Sequence, residues 1–354
     1  MIAVRFDRPW SRRGLLVLML VLIVALVVLV WLLLLLAKDS PPVHDASMGL
    51  RALRVINGPG TGDKPFFDGP MGAAFGKYGR IYVADTGNNR IVVFGSGGEY
   101  LFQFGALGVG KPDPKGRYSW KPGLLNYPTD VAVDEGGNVH VADFRNNQIQ
   151  VFDADGHYLN AFPDRNRRIG QGSFGADGKG IAVTSLTAKG GRVYATDRYQ
   201  VMVFDNDGRL IEQFGKAGSG AGDLDHPNGI AVRADSTLVV SDSNHNRVLG
   251  MSSTGSPLWS AGEPLGTTVD RTEVAIELPR GVTVADYGTI LVADALACKL
   301  VRLSSLGDVI GTYGQRGSAA GEFNFPTDVA SAPDGRLVVA EKGNDRVQVL
   351  AVDK

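Results

Sequence analysis

From residue 70 onward the apolar residues fall into short runs of four to six separated by turn residues, a pattern of strands and not of amphipathic helices. One set of runs ends on a carboxylate: IYVAD (81–85), VHVAD (139–143), VYATD (193–197), LVVSD (238–242), ILVAD (290–294) and LVVAE (337–341). A second set follows each of these across a short turn, as in RIVVF (90–94), QIQVF (148–152) and RVQVL (346–350). Registered on Asp85, Asp143, Asp197, Asp242, Asp294 and Glu341, the same phrase is written six times, 45 to 58 residues apart. Five copies carry a proline fifteen positions earlier (Pro70, Pro128, Pro227, Pro279, Pro326), and the third has Gly178 in its place with SLTAKGG as a short insertion. Each copy reads as four strands: a first like PTDVAV (128–133) or PNGIAV (227–232), the two runs above, and a fourth like YLFQFG (100–105). The first two are apolar at successive positions, which suits small sheets covered on both faces. Repeats of this length built of strands and turns are the mark of radial arrays.

The third position of the first strand is Gly72, Asp130, Gly180, Gly229, Gly281 and Asp328, and the fifth is small in every copy. Small residues at one fixed point suit a crowded hub where six sheets converge. The sixth copy stops at RVQVLAVDK without a fourth strand, while RALRVING (51–58) stands alone before the first copy. The fold expected is therefore all-β, a six-bladed β-propeller over residues 50–354, closed by its N-terminal strand so that two edges are hidden.

Before this domain, Leu15 to Ala37 is an unbroken apolar run, long enough to cross a bilayer as a helix. It ends WLLLLLAKDSPP, with no Ala-x-Ala and no lipobox cysteine, so it reads as a retained signal anchor and not a cleaved leader. Arg5, Arg8, Arg12 and Arg13 precede it, which by the positive-inside rule places a short tail (1–13) in the cytoplasm. The expected order is tail, transmembrane helix (14–37), polar stem (38–49) and an extracytoplasmic propeller in a single-pass membrane protein.

The chain has 354 residues with 47 Gly and 17 Pro, many for a helical protein and fitting for one rich in tight turns. Net charge is −1, but the tail holds four arginines against Asp7, leaving 32 basic against 36 acidic residues in the remainder. That mildly acidic body argues against nucleic acid as a partner, which requires clustered cations. The one cysteine, Cys298, precludes an internal disulfide; it fills the turn slot held by Asn89, Asn147 and Asn246 and is expected to be a partly buried, unreactive thiol.

VADTGNNRIVVF (83–94), VADFRNNQIQVF (141–152) and PNGIAV (227–232) resemble the NHL repeat family, as do the linkers GKAGSGAGDLDHP (215–227) and GQRGSAAGEFNFP (314–326). The resemblance implies the same six-bladed ring, which hosts binders, scaffolds and a few enzymes. Its lyase branch binds zinc through histidines of several blades. The five histidines here (His44, His140, His157, His226, His245) all miss the hub slot after the proline, which argues against that chemistry. RNA binding, as in NHL domains of tripartite-motif regulators, is opposed by the acidic body and the expected location.

Residues shared by every blade serve architecture, so Asp85 and Arg90, despite looking like an acid–base pair, are expected to hold the following turn. Function is sought where the copies differ. The position after the proline reads Met71, Thr129, Lys179, Asn228, Arg280 and Thr327, six residues expected to face one mouth of the axial channel. Lys179 and Arg280 are placed to hold an anion there, and Asp130, Asn228 and Asp328 a divalent cation; the alternative is a hydrated, mutually neutralised hub. The linker between the first two blades carries Lys111, Lys115, Arg117 and Lys121 with Tyr118 and Trp120, and the next adds Arg165, Arg167 and Arg168. Together they form a basic, aromatic sector suited to a protein partner in or near the membrane or an anionic envelope ligand. The reading is a tethered binding scaffold needing no cofactor; the alternative is a metal-dependent lactonase-like or lyase-like enzyme at the hub.

Overall fold

The computed structural model describes residues 49–108, 111–112, 118–119, 121–162, 182–262, 276–285 and 288–352, all within one unit, Ser47–Lys354. They form six four-stranded antiparallel sheets. The first blade runs Gly72–Phe75, Ile81–Asp85, Arg90–Phe94 and Tyr100–Phe104 from the axis outward. The inner strands of the others are Pro128–Val133, Ser185–Lys189, Pro227–Val232, Pro279–Val284 and Pro326–Ser331. Each inner strand contacts the next, and the sixth contacts the first, so the ring is closed. The sixth blade takes its outermost strand from the other end of the domain: Leu50–Ile56 pairs antiparallel with Arg346–Val352, Leu50 opposite Val352 and Ile56 opposite Val347.

The burial of each strand follows its apolar pattern. Ile81–Asp85 and Arg90–Phe94 are buried at every position, being covered on both faces by neighbouring blades. The outer Tyr100–Phe104 and Leu210–Phe214 alternate between half-buried and exposed, one face wet. Hydrophobic clusters fill the blade interfaces: Tyr82 and Ile91 of the first blade with Val141 and Phe152 of the second, and Leu291 and Leu300 of the fifth with Leu337 and Leu350 of the sixth. Cys298 lies in the latter cluster, in the turn expected for it at φ 54°, and is fully buried where the sequence suggests a partly buried thiol.

The third blade departs from the sequence reading. Its inner strand is Ser185–Lys189, the segment taken as an insertion, and not the run after Gly178. Lys189 pairs with Arg192 around Gly190 and Gly191, at φ 61° and 70°, a two-residue hairpin that only a pair of glycines adopts freely. Ser185 therefore takes the slot of Gly72 and Asp130, and Thr184 the slot assigned to Lys179, which lies outside the described residues.

The recurring carboxylate holds the following turn, as expected, and more besides. Asp85 accepts from Asn88 Nδ2 of that turn at 2.9 Å and from the backbone N–H of Asp68 at 2.8 Å, two residues ahead of the proline, so it also clamps the linker entering the blade. The same bond joins Asp143 to Asn126 and Asp242 to Asp225, each at 2.7 Å, and Glu341 to Asn324 at 3.0 Å. The arginine five residues on completes the clamp. Arg90 Nε donates to Asp85 at 2.7 Å while its Nη2 donates to the linker carbonyl of Lys64. Arg247 and Arg346 do likewise for their linkers. In the first, fourth and sixth blades the motif wires the incoming loop to its blade, one charge taking the N–H and the other the C=O.

Candidate functional site

The inner strands all start on the face where the outer-to-inner linkers and the carboxylate-bearing turns lie, because four antiparallel strands return both kinds of connection to one side. The slot after the proline opens on this linker face. There the side chains mostly tie blades together. Thr129 Oγ1 donates to the Val183 carbonyl at 3.0 Å, Thr184 to Pro227 at 2.6 Å and Thr327 to Pro70 at 3.2 Å, each reaching the next blade. Where this slot lacks a hydroxyl, the residue after the aspartate supplies it: Thr86 donates to Pro128 at 2.7 Å and Ser243 to Pro279 at 2.5 Å. Asn228 donates its amide to the His226 carbonyl and to Ser243 Oγ, both at 2.9 Å.

Asp130 and Asp328 sit one residue deeper, and each bonds forward to the next blade. Asp130 Oδ2 accepts from Ser185 Oγ at 2.7 Å and Leu186 N at 2.9 Å; Asp328 Oδ2 accepts from Ala73 N at 2.9 Å. Each needs a glycine in the blade behind it. A methyl group on Gly72 would lie 2.6 Å from the Asp130 Cα, and one on Gly281 2.1 Å from Asp328 Oδ1. Both carboxylates line a cavity of about 160 Å³ along the axis, together with Ser185, Thr187, Thr283 and Ser331. Burial pushes Asp130 up to about 6 against the pull of its hydrogen bonds. Asp328 is held well above the usual carboxylate range by burial and then by the charge of Asp130, with Arg280 acting in the opposite sense.

These shifts set a sign for pH dependence. A carboxyl group whose folded pKa exceeds its unfolded value of about 3.9 binds more protons when folded, so stability is fully present below about 4 and declines as pH rises through about 6. We expect the urea midpoint to fall between pH 4 and 7, with Asp328→Asn flattening the slope. A variant slope equal to the wild-type slope would refute the coupling. Asp134 is held far below the usual range by its bonds to His140 and Asn138, so its opposite contribution belongs below pH 4.

Of the residues picked from the sequence, the structure brings Asp130 and Asp328 to one cavity and leaves Asn228 bonded within its own blade. The Asp130 and Asp328 carboxylates accept neighbouring N–H and O–H groups, and Asn228 is not among the residues lining their cavity. The four described histidines each pair with an aspartate: His140 with Asp134, His157 with Asp153, His226 with Asp225 and His245 with Asp242. Among the described residues no three His, Cys, Asp or Glu side chains gather as metal ligands. Lys121 is exposed. The backbones of Lys111 and Tyr118 belong to a two-residue ladder, Lys111–Pro112 against Tyr118–Ser119. Lys115, Arg117, Trp120, Arg165, Arg167 and Arg168 lie outside the described residues. The sequence reading passed over Arg145, stacked 4.4 Å above the Tyr127 ring on the linker face, and Ser185, hidden by the misplaced third blade.

Comparison with known proteins agrees with this architecture. The NHL repeat model matches residues 67–94, 125–152 and 323–350. The chain is 28% identical over 149 residues to the Protein brain tumor of Drosophila melanogaster, covering 42% of this chain and 12% of that protein. It is 26% identical over 187 residues to the human NHL repeat-containing protein 3, covering 49% and 51%. The matches thus span about half or less of those relatives' own lengths. Among solved structures, a streptogramin B lyase superposes with a TM-score of 0.54 at 17% identity, covering 87% of this chain and all of that one. A gluconolactonase from Xanthomonas campestris gives 0.55 at 17% identity, covering 87% and 91%. At such identities the likeness is one of fold. The chain is a six-bladed β-propeller carrying NHL repeats.

Proposed function

We propose that this chain is a binding scaffold, tethered to a membrane through residues 14–37, whose propeller holds a protein partner on its linker face outside the cytoplasm. The observation that carries the reading is how the hub is used. Its hydroxyls and carboxylates bond to neighbouring blades, which makes it a structural axle, and leaves the basic and aromatic sequence of the linkers as the distinguishing chemistry of the domain. Cations interleaved with aromatic residues along the linker sequence favour a protein surface over a water-filled active site. The tether rests on the hydropathy of the first 37 residues; among the described residues no helix is long and apolar enough to cross a membrane.

One experiment addresses both halves. A membrane-impermeant crosslinker applied to intact cells making the full chain should capture a defined protein, and Arg165→Glu, Arg167→Glu and Arg168→Glu together should reduce that product at least tenfold. Failure to label the propeller from outside defeats the topology, and an undiminished product in the triple variant defeats the surface. A stoichiometric divalent ion in the purified chain would favour hub chemistry instead.

A further inference from the structure

The inter-blade hydroxyl bonds obey a rule with one exception. At five of the six interfaces, a Thr or Ser hydroxyl from one of two slots donates to the carbonyl that opens the next inner strand. At the fifth-to-sixth interface those slots hold Arg280 and Ala295, and no described side chain donates to the Pro326 carbonyl. A threonine works at this place in three other blades, so the arginine is not required by the ring.

Among the described residues Arg280 also has no hydrogen-bond or ion-pair partner. Its Nε is sealed from solvent and makes no hydrogen bond, although the residue as a whole is half-exposed at the mouth. No carboxylate among the described residues forms an ion pair with it. The ionisable groups whose fields reach it are Tyr127, on the diametrically opposite blade, and Asp328, on the adjacent one. A partly desolvated guanidinium with one sealed, unpaired donor is costly, and an anion at its outer nitrogens lowers that cost by supplying the counter-charge. Its planar fork matches a carboxylate through two parallel bonds. The two carboxylates beneath it repel a dianion more strongly than a monoanion.

We propose that Arg280 is an anion-binding residue that takes a single carboxylate at the linker-face mouth of the axis, supplied by an acidic side chain or the C-terminus of the bound protein. The source of that carboxylate rests on the scaffold reading; the site itself does not. Acetate is the probe. In thermal unfolding of the full chain at pH 7.5 and constant ionic strength, replacing 100 mM chloride by acetate should raise Tm by about 2 °C, while acetamide, uncharged and of the same shape, should not. Arg280→Thr should abolish the acetate gain and, by donating to the Pro326 carbonyl, raise Tm in chloride by about 2 °C. Arg280→Gln should also abolish the acetate gain and stands in if the threonine variant does not fold. A wild-type midpoint indifferent to acetate, or a gain that persists in both variants, overturns the site. Acetate binding without any captured protein leaves the site standing and removes the scaffold. Capture through the linkers by a chain indifferent to acetate does the reverse.

Discussion

Deleting residues 50–57 should raise the propeller's oligomeric state above that of the full chain and lower its unfolding midpoint steeply. The segment supplies the outer strand of the sixth blade, and without it Arg346–Val352 becomes an open edge with unpaired N–H and C=O groups. The side-chain loss falls at both ends of the strand. Leu50 and Ile56 are 5% and 6% exposed, one packed with the fifth-to-sixth cluster and the other with the sixth-to-first. At about 1.5–3 kcal/mol for each buried aliphatic, the two contribute roughly 3–6 kcal/mol before the ladder is considered. That is a large share of the 5–15 kcal/mol typical of a domain. Light scattering after gel filtration should show larger species than the full chain forms, and a synthetic peptide of residues 49–58 added in excess should restore the full chain's state. A monodisperse variant with an unchanged midpoint would mean that the ring closes by some other means.

This closure was legible because it depends on counting: five complete phrases, a sixth lacking its last strand and an orphan strand at the start. The third blade was not legible by the same route. Its inner strand lacks the proline, so registering on KGIAV at 179–183 placed a strand too early and turned SLTAK into an insertion. The glycine pair at 190–191 was the usable signal, since Gly-Gly between apolar runs specifies a two-residue hairpin and fixes both strands around it. Gly72 and Asp130 were both read as small hub residues. The structure shows a complementary arrangement in which the glycine makes room for the aspartate of the following blade, a relation between copies that reading down one aligned column does not expose. The distinction between shared and divergent positions held for Asp85 and Arg90, which are structural, yet only the turn half of their target was legible. A carboxylate in a turn can serve groups on either side, and Asp294 takes both Leu278 N of the linker and Ala297 N of the turn.

Asp242→Ala should be among the most damaging single substitutions, costing about 3–5 kcal/mol. The carboxylate is fully buried and serves three donors: Asp225 N at 2.7 Å, His245 Nδ1 at 2.7 Å and Arg247 Nε at 2.8 Å. Its removal leaves Arg247, 5% exposed, as a buried cation with no counter-charge. Asp242→Asn keeps an acceptor for the linker N–H but loses the charge, so it should fall between alanine and wild type. Replacing both partners, as Asp242→Ala with Arg247→Met, should recover part of the loss, because the uncompensated charge is gone. Recovery should be incomplete, since Arg247 Nη2 also donates to the carbonyls of Gly220 and Asp223 and the double variant frees both. The consequence reaches the linker face: with the clamp gone, residues 215–226 lose their hold on the blade and should become the first site of proteolytic cleavage. Urea midpoints and the mass of the earliest fragments check both statements. If the single variant keeps the wild-type midpoint, or the first cut falls elsewhere, the clamp is not what fixes this linker.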